Sequence, residues 1–524
     1  MPEPDIDEYI AGLTAKHAGG NEGPVGPRQK AYLAKLLLSQ GRNSDALPLL
    51  QDATDEARRL RAEGGEEAKF LWTGFLCDVG ALLASTLDYS NDEAAAERIY
   101  IELLSLQPNG AFIGDWAIFL HRKKKDHAQA EAFYLRSIEL FPGQSSIHLK
   151  YAAFLRHVHK DLKRADVQYR LAIEANKKNP EAIGSYASFL HGVLGKIDLA
   201  GEFYEEALRL DAFHANNLCN FGLYLSEERG NYGRAETLYQ RALQHSPSHA
   251  NSLYNYAVML DTHCQRKAEA EALYKRVVDD VEPRHAFALY NLAVLLEDKV
   301  AQADRQEDAA RRAAGQQAPG PDPTLAQARM ARRQEVCSLY RRAVECDEKD
   351  AVTTADLGRY LLTRMDDIDG AEAALFRALQ LDSENVVAVY NLALLMHKHR
   401  ADFDAAEKLL STLTRKQGHK HAAAMQQLAR VYLDKYKASA DQREFEACLR
   451  TYEKTIDLLA SGDPALCMIE YLRAVTEHGS NRQKTRAISF IDGALTRPMA
   501  RESDIRTMVA SMRRLQEGSK MGPV

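Results

Sequence analysis

Four asparagines recur in a regular context in this chain of 524 residues: Asn220, Asn255, Asn291 and Asn391. An asparagine amide donates and accepts hydrogen bonds at the same time, so it can pair with a peptide backbone whatever the peptide's side chains. Tyr254, Tyr290 and Tyr390 directly precede three of these asparagines and would add rigid contact area. The pattern predicts a row of groups that holds an extended polypeptide.

No residues with the spacing of a catalytic or metal site accompany this row. Three histidine pairs are separated by one residue, His157/His159, His397/His399 and His419/His421. Side chains at i and i+2 point about 200° apart on a helix, so they do not share a metal. The seven cysteines form no C-x-x-C pair, and no P-loop, H-E-x-x-H sequence or nucleophile elbow occurs. We therefore expect no catalytic residue, no metal and no cofactor, and predict that the chain is not an enzyme.

The elements that must position the row are set by an Ala-x-x-x-Tyr-x-x-Ala cassette, repeated mostly every 35 residues. Its aromatic lies at Tyr100, Tyr134, Tyr169, Tyr204, Tyr239, Tyr274 and Tyr340, and leucine replaces it at Leu375 and Leu410. A fixed period of this length is typical of stacked-repeat proteins, in which each unit packs only on its neighbours. Such proteins usually present a surface to other molecules.

Residues 214–247 show what one repeat contains. A first helix carries Leu218, Phe221, Gly222 and Leu225 on one face, and a second carries Ala235, Leu238, Tyr239, Ala242 and Leu243. Pro247 ends the second helix, because proline cannot continue it. At the Gly222 position the other units have glycine or alanine, which allows two helices to approach closely. Each repeat is therefore predicted to be two antiparallel helices.

This arrangement resembles the tetratricopeptide repeat over roughly residues 29–496, most strongly over 93–297. The resemblance implies an all-α solenoid of about twelve antiparallel helix pairs, wound as a right-handed superhelix and closed by a C-terminal capping helix. It also implies that first helices line a concave groove, into which the residue two positions before the small residue points. Asn220, Asn255, Asn291 and Asn391 occupy that position. An extra residue between the helices and the loss of the final proline in several units depart from the family pattern.

The half-a-TPR repeat of RNA-processing scaffolds is a competing resemblance. Its aromatic first helix is similar to DWAIFLH, KYAAFLR and SYASFLH, and its second helix is similar to AERIYIELL. The alanine and proline positions favour the ordinary tetratricopeptide repeat.

The sequence divides into six segments. Residues 1–28 are predicted to be flexible, 29–106 to form degenerate N-terminal pairs, 107–300 a regular array, 301–332 an inserted loop within one repeat, 333–460 a continuing array, and 461–524 a degenerate repeat with a capping helix. The tail RESDIRTMVASMRRLQEG is amphipathic and has no partner helix, as expected of a helix that covers the last apolar face. An exposed apolar side of this helix would permit dimerisation.

The insert interrupts one repeat between its two helices. Its middle, GQQAPGPDP, is too rich in glycine and proline for regular structure, and Asp322-Pro323-Thr324 is typical of a helix start. Insertions in repeat proteins are often interaction sites. The candidate contacts for an acidic partner are Arg311, Arg312, Arg329, Arg332 and Arg333, which could also form an ordinary solvated charge run.

Composition limits the remaining functions. The formal net charge of -6 argues against general nucleic-acid binding. The N-terminal sequence lacks the apolar core of a secretory signal, and no apolar run approaches the roughly 20 residues that span a bilayer. We therefore expect a cytoplasmic protein without a membrane partner.

These patterns together predict a non-catalytic scaffold or adaptor that holds segments of other proteins in its groove. Three alternatives remain: a structural component of a fixed cytoskeletal or ciliary assembly, a half-a-TPR-like RNA-processing scaffold and, least favoured, a specificity subunit of a separate enzyme.

Overall fold

The structure, a computed structural model, describes residues 26–39, 42–90, 92–314, 323–416, 421–459, 464–495 and 502–520. No strand occurs in these residues. Residues 1–28 were expected to be flexible, and residues 1–25 of that segment lie outside the described part of the chain. The chain divides into two compact units, Met1–Asn255 and Tyr256–Val524.

The first unit consists of helix pairs in which each odd-numbered helix packs on the even-numbered helix after it. Its helices are α1 (Pro27–Ser39), α2 (Asn43–Glu63), α3 (Glu66–Tyr89), α4 (Glu93–Leu106), α5 (Ile113–Phe119), α6 (His127–Leu140), α7 (Ser145–Phe154), α8 (Leu162–Ala175), α9 (Pro180–Gly192), α10 (Ile197–Leu210), α11 (Ala215–Glu227) and α12 (Tyr232–His245). Helix α13 (Ala250–Thr262) begins in this unit and ends in the next.

The second unit continues the same order. Its helices are α14 (Lys267–Arg276), α15 (Ala286–Ala314), α16 (Pro323–Cys346), α17 (Ala351–Tyr360), α18 (Ile368–Leu381), α19 (Val386–Leu395), α20 (Phe403–Lys416), α21 (Ala422–Ser439), α22 (Gln442–Leu458), α23 (Ala465–His478), α24 (Asn481–Ala494) and α25 (Glu502–Lys520). In the described residues the chain therefore has twelve first helices, twelve second helices and one terminal helix. This confirms the all-α repeat prediction, whereas the right-handed superhelix stays a prediction.

Each repeat is held together by a large residue of the second helix packed against a small residue of the first. Tyr239 is completely buried, and a Cβ atom added to Gly222 would lie 3.0 Å from its ring. In the second unit, a Cβ atom on Gly358 would lie 2.7 Å from Cγ of Leu375. No larger side chain fits at this approach, which explains why the position holds only glycine or alanine.

Aspartate or asparagine fixes the start of many second helices. The side chains of Asp92, Asp126, Asp161, Asn231 and Asp367 each accept a hydrogen bond from the backbone N–H three residues later. Such a cap satisfies a backbone donor that the first helical turn leaves without a partner. The turn between the two helices is thereby placed at the same point in successive repeats.

The first helices end in one of two ways before the chain turns into the second helix. Four first helices finish in a π-helical turn, the segments Leu120–Lys124, Leu155–His159, Leu361–Met365 and Met396–Arg400. The next residue is left-handed, as at Lys125 with φ 57°. Gly195 and Gly230 take the left-handed position in repeats whose first helix lacks the π turn. Both endings occur in repeats of 35 residues, since the steps from Tyr169 to Tyr204 and from Tyr204 to Tyr239 contain no π turn, so the π turn does not set the period.

Two glycines near this turn are expected to respond to alanine in opposite directions. Gly230 has φ 59° and nothing within 4 Å of an added Cβ atom, so Gly230→Ala should lower the free energy of unfolding by about 1 kcal/mol through backbone strain alone. Gly233 lies inside α12 with equal free space, so Gly233→Ala should raise it by up to about 1 kcal/mol. Urea denaturation of both variants measures the two signs, and equal signs would contradict the assignment.

The insert at 301–332 is largely helical, where the sequence analysis expected a loop. Helix α15 continues through Ala314, and α16 begins at Pro323, as the Asp-Pro-Thr signal predicts. The two extensions pack on each other as a helical hairpin. The loop prediction failed because the charged residues on each side of GQQAPGPDP pair across the hairpin, as described below.

Helix α25 packs on α23 and α24, as expected of a capping helix. Ile505, Val509 and Met512 are buried against the last repeat. Among the described residues, α3 is the one helix long and apolar enough to cross a membrane by length and composition, although the sequence analysis expected none. It packs between α2 and α4, and burial of residues such as Leu83 and Leu87 in that packing accounts for its apolar content.

Candidate functional site

In each first helix, the residue two positions before the glycine or alanine at the Gly222 position is a candidate groove residue. The exposure of these residues decreases along the chain. In the first unit, Asp115 and Lys150 are exposed, whereas Ser185, Asn220 and Asn255 are half-buried. In the second unit, Asn291 and Asp356 are half-buried, and Asn391 and Gln427 are buried with 5% and 1% of their surface exposed. Access to this row therefore decreases towards the C-terminus of the chain.

The four candidate asparagines differ in what their amides contact. Asn220 makes no side-chain hydrogen bond within the described residues. The Nδ2 atom of Asn255 lies 3.4 Å from the sulfur of Cys219, a weak acceptor. Asn391 donates to the backbone oxygen of Val387 in its own helix at 2.8 Å. The amide of Asn391 is thus used inside the fold, whereas the amide of Asn220 bonds no group in the described part of the chain.

The candidate tyrosines Tyr254, Tyr290 and Tyr390 are all half-buried. Tyr290 donates its hydroxyl hydrogen bond to Asp356 of the next first helix at 2.9 Å. Tyr390 stacks on His421 with ring centroids 5.8 Å apart. These contacts hold both rings in fixed orientations on the surface formed by the first helices, which we call the first-helix face.

A charged network fills the interior of this face where α15 meets α17. Arg359 forms a bidentate pair with Glu297, with N–O distances of 2.8 and 2.7 Å, and its Nε atom donates to Asp356 at 3.1 Å. Tyr340 donates to the same Glu297 carboxylate at 2.9 Å. Burial alone would raise the pKa of Glu297, but the hydrogen bonds and charge of Arg359 lower it below its usual value. Asp356, a departure from the asparagine row, is thereby explained as a structural residue.

An exposed apolar row lies beside the second unit's tyrosines, and sequence reasoning missed it. Phe287, Val352 and Val387 are 66%, 55% and 37% exposed. Each lies six residues before the small residue of its first helix, where the first unit has polar residues such as Asn216 and Asn251. Comparing that position between repeats would have revealed the row. Tyr290 and Tyr390 lie three residues after two of its members and share their helix face.

Further along the second unit, polar groups link three successive first helices around an open cavity of about 730 Å³. His397, in the turn that follows α19, contacts Asp434 of α21 at 3.0 Å. Its Nδ1 atom accepts a hydrogen bond from Gln427, also on α21, at 2.8 Å. Arg430 donates to Gln427 at 3.2 Å and pairs with Glu470 of α23 at 2.5 Å. Gln427 is therefore fixed by its neighbours, and this part of the face is a polar, ordered surface.

In the first unit, α3 and α5 line an open cavity of about 670 Å³ that includes Asp78 and Asp115. Asp115 is exposed at the rim of this cavity, and the surrounding protein partly desolvates its carboxylate. This desolvation raises the pKa of Asp115 to about 6, against the opposing charge of Lys150. The negative charge at this end of the face is consequently lost as the pH falls through that value.

Three of the five insert arginines pair within the hairpin. Arg329 bonds Glu307 at 2.6 Å and Asp308 at 2.8 Å, Arg332 bonds Glu307 at 2.9 Å, and Arg333 bonds Asp304 at 2.5 Å. These ion pairs connect α16 to α15 and hold the two helices of the hairpin together. Arg311 and Arg312 lie in the last turn of α15, where Arg312 is exposed and its Nε atom donates to the backbone oxygen of Asp308 at 3.3 Å.

No group of three or more His, Cys, Asp or Glu residues in the described part of the chain could hold a metal ion. Of the paired histidines, His397 is buried and bound to Asp434, whereas His399 is exposed. His419 lies outside the described residues.

No protein-family model matches the chain, and no curated protein matches it. Among solved structures, the human IFIT1 dimer with m7Gppp-AAAA shares 14% identity, covers 94% of each chain and gives a TM-score of 0.42. A monomeric mutant of IFIT1 with m7Gppp-AAAA shares 15% identity over 76% of this chain and 90% of that one, with a TM-score of 0.46. Pseudomonas aeruginosa pilF shares 15% identity over 46% and 92%, with a TM-score of 0.35.

The fold assignment rests on the chain's own geometry. A two-helix unit recurs with a small residue on the first helix against a large residue on the second. This recurring two-helix unit is the all-α repeat that the sequence pattern predicted.

Proposed function

We propose that the chain is a non-catalytic scaffold that holds an extended segment of a partner protein on the first-helix face of the second unit. Apolar side chains of the segment would pack on Phe287, Val352 and Val387. In the first unit, the free amide of Asn220 would pair with the backbone of a bound segment. We propose the cytoplasm as the place of action, as the sequence analysis expected.

The observation that carries this proposal is the repetition of exposed apolar residues at one repeat position. Scattered apolar residues are ordinary on a protein surface, but a contiguous row rimmed by polar groups marks an interaction site. The row stands beside Tyr290, whose orientation Asp356 fixes. A fixed aromatic ring loses little conformational entropy when a ligand binds, which favours binding.

A peptide-display selection on the full chain tests this surface. We expect selected peptides to be extended and to carry spaced apolar residues. The variant Phe287→Ser/Val352→Ser/Val387→Ser should weaken their binding at least about tenfold, because each lost apolar contact contributes about 1 kcal/mol. The matched control is Met330→Ser/Phe376→Ser/Leu458→Ser, which removes apolar residues 41%, 44% and 38% exposed elsewhere in this unit. Equal weakening by both variants would reject the surface.

The asparagine row is tested separately in each unit, by the variant Asn220→Ala/Asn255→Ala in the first and by Asn291→Ala in the second. If the amides pair with a peptide backbone, peptides that bind one unit should bind that unit's variant more weakly, since each lost hydrogen bond contributes about 0.5–1.5 kcal/mol. Fluorescence anisotropy of one labelled peptide gives the affinity. Unchanged affinity would remove the asparagines from the proposal and leave the apolar row.

Partner purification from cells separates the remaining alternatives. Transient protein clients agree with an adaptor, stoichiometric filament or ciliary subunits with a fixed assembly, and RNA-processing factors with a half-a-TPR-like scaffold. An RNA oligonucleotide that displaces the selected peptides would contradict protein binding as the function of this face.

A further inference from the structure

A cluster of basic residues in the first unit lies where two neighbouring first helices end. The sequences HRKKK at 121–125 and RHVHK at 156–160 occupy equivalent places in consecutive repeats. Each begins in the π-helical turn after α5 or α7 and finishes at a left-handed lysine, Lys125 or Lys160. The repeat geometry therefore sets two basic segments side by side.

Some of these cations are already paired. Lys124 contacts Glu97 at 2.8 Å, and His159 contacts Glu131 at 3.2 Å. Lys123 lies 3.4 Å from Asp88. Lys123, Lys124 and His159 are therefore occupied by the carboxylates of Asp88, Glu97 and Glu131.

Six basic side chains of these segments have no carboxylate within 4.0 Å in the described residues, namely His121, Arg122, Lys125, Arg156, His157 and Lys160. We call the last five of them the basic patch. Arg156 is half-buried and the other four are exposed. Arg122 lies over the ring of Tyr89, itself 70% exposed, at 6.0 Å. The acids next in sequence, Asp126 and Asp161, accept backbone N–H bonds that cap α6 and α8, and among the described residues neither lies within 4.0 Å of a patch cation.

Neighbouring histidines show that the patch is continuous between the two repeats. Burial, and then the charges of His127, Lys125, Arg122 and His157, lower the pKa of His121 to about 4. Burial, Arg156 and Lys160 lower the pKa of His157. The buried Nδ1 atom of His127, beside His121, has no hydrogen-bond partner. A positive field of this kind in a chain of net charge -6 is a local feature that composition does not explain.

We infer that the basic patch binds an acidic protein segment, one that places two or three carboxylates over Lys125, Lys160 and their neighbours. The patch covers only two first helices, which lie about 10 Å apart, and this suits a few anionic groups. A nucleic acid needs a longer positive stripe, because general binders typically neutralise about 6–10 phosphates. Here Glu97 and Glu131, which contact Lys124 and His159, place carboxylates beside the patch and interrupt any longer positive stripe. This inference concerns another unit and other chemistry than the proposed function and stands independently of it.

The test uses the full chain and a fluorescein-labelled decapeptide of glutamate, followed by anisotropy. We expect binding that weakens with added salt, because exposed charges are screened. A glutamine decapeptide should not bind. The variant Lys125→Glu/Lys160→Glu should weaken binding about tenfold or more, through loss of attraction and new repulsion. Unchanged circular dichroism and melting temperature establish that this variant is folded.

The matched control is Lys177→Glu/Lys178→Glu, which changes the net charge equally at two exposed lysines of the same unit. This control should bind the glutamate peptide as the wild type does. Equal loss in both variants would show attraction to overall charge and overturn the inference, as would tighter binding of a ten-nucleotide single-stranded RNA.

The acidic N-terminus of the chain is an alternative occupant, with Glu3, Asp5, Asp7 and Glu8. A full-length variant that replaces these four by their amides separates the two cases. If the peptide binds only this variant, the patch serves the chain itself and the inference of an external partner is overturned. Equal binding by both chains supports the external partner.

Discussion

Replacing Tyr204 with alanine is expected to lower the free energy of unfolding by about 4 kcal/mol. The side chain is 1% exposed, and its ring centroid lies 5.4 Å from that of Phe221 and 5.6 Å from that of Tyr224 in the next repeat. Alanine would leave a cavity that cannot collapse, because neighbouring repeats hold both of those rings. Urea unfolding followed by circular dichroism measures the loss.

Two control substitutions bracket this effect. Tyr32 is 56% exposed, so Tyr32→Ala should change stability by less than about 0.5 kcal/mol. Tyr204→Phe keeps the buried ring and should cost less than about 1.5 kcal/mol. Stability in stacked repeats is local, so hydrogen exchange of Tyr204→Ala should quicken most in α9 to α12. A uniform increase across residues 26–245 would contradict this locality.

Replacing Arg359 with methionine should cost about 3 kcal/mol at pH 7, because it leaves the Glu297 carboxylate buried without its partner. Only 13% of the Glu297 side chain and 29% of the Arg359 side chain are exposed, so solvent cannot restore the lost bonds. The pair Glu297→Gln/Arg359→Met should recover most of this stability, because Tyr340 can still donate to the glutamine oxygen. A double variant as unstable as the single one would show that the loss comes from packing.

The same variant should change how stability depends on pH. In the wild type the pKa of Glu297 is lowered on folding, so its contribution is present above the unfolded pKa and is lost as pH falls through the folded value. Without Arg359, burial raises the folded pKa, and protonation relieves the cost. The difference between the two proteins should therefore shrink from pH 7 towards pH 4, measured by urea titration at each pH.

An exposed ion pair in the same unit provides the comparison. Arg400 contacts Asp369 at 2.6 Å and Glu372 at 2.7 Å, but 42% of its side chain is exposed. Arg400→Met should therefore lower the free energy of unfolding much less than Arg359→Met and show little pH dependence between pH 7 and 5. A loss similar to that of Arg359→Met would mean that burial does not distinguish the two pairs.

Most of the repeat fold could be predicted because its causes are local. The pairing of Gly222 with Tyr239 follows from helical spacing within one 35-residue unit, as does the cap at Asn231. The helical hairpin of the insert could not be predicted from local spacing. Its helices depend on pairs such as Arg329 with Glu307, which lie 22 residues apart in the chain and meet only in the hairpin.

The candidate surface was predicted less well. The sequence places asparagines at one repeat position, yet it does not distinguish Asn220, whose amide bonds no described residue, from Asn391, whose amide bonds its own helix. Burial and hydrogen-bond partners depend on how closely successive first helices pack. The apolar row at Phe287, Val352 and Val387 was accessible to sequence reasoning and was missed, because the comparison was made at one position of the repeat only.

The sequence by itself determined the two-helix unit, its period and the placement of small residues against large ones, because contacts within a repeat are short in sequence and recur. Only the tertiary structure decided which polar groups face solvent and which form ion pairs within the fold. Arg359 pairs with Glu297, and Arg333 pairs with Asp304. A hydrogen bond or ion pair between helices depends on distances of a few tenths of an ångström between atoms distant in the chain, and periodicity carries no information about those distances.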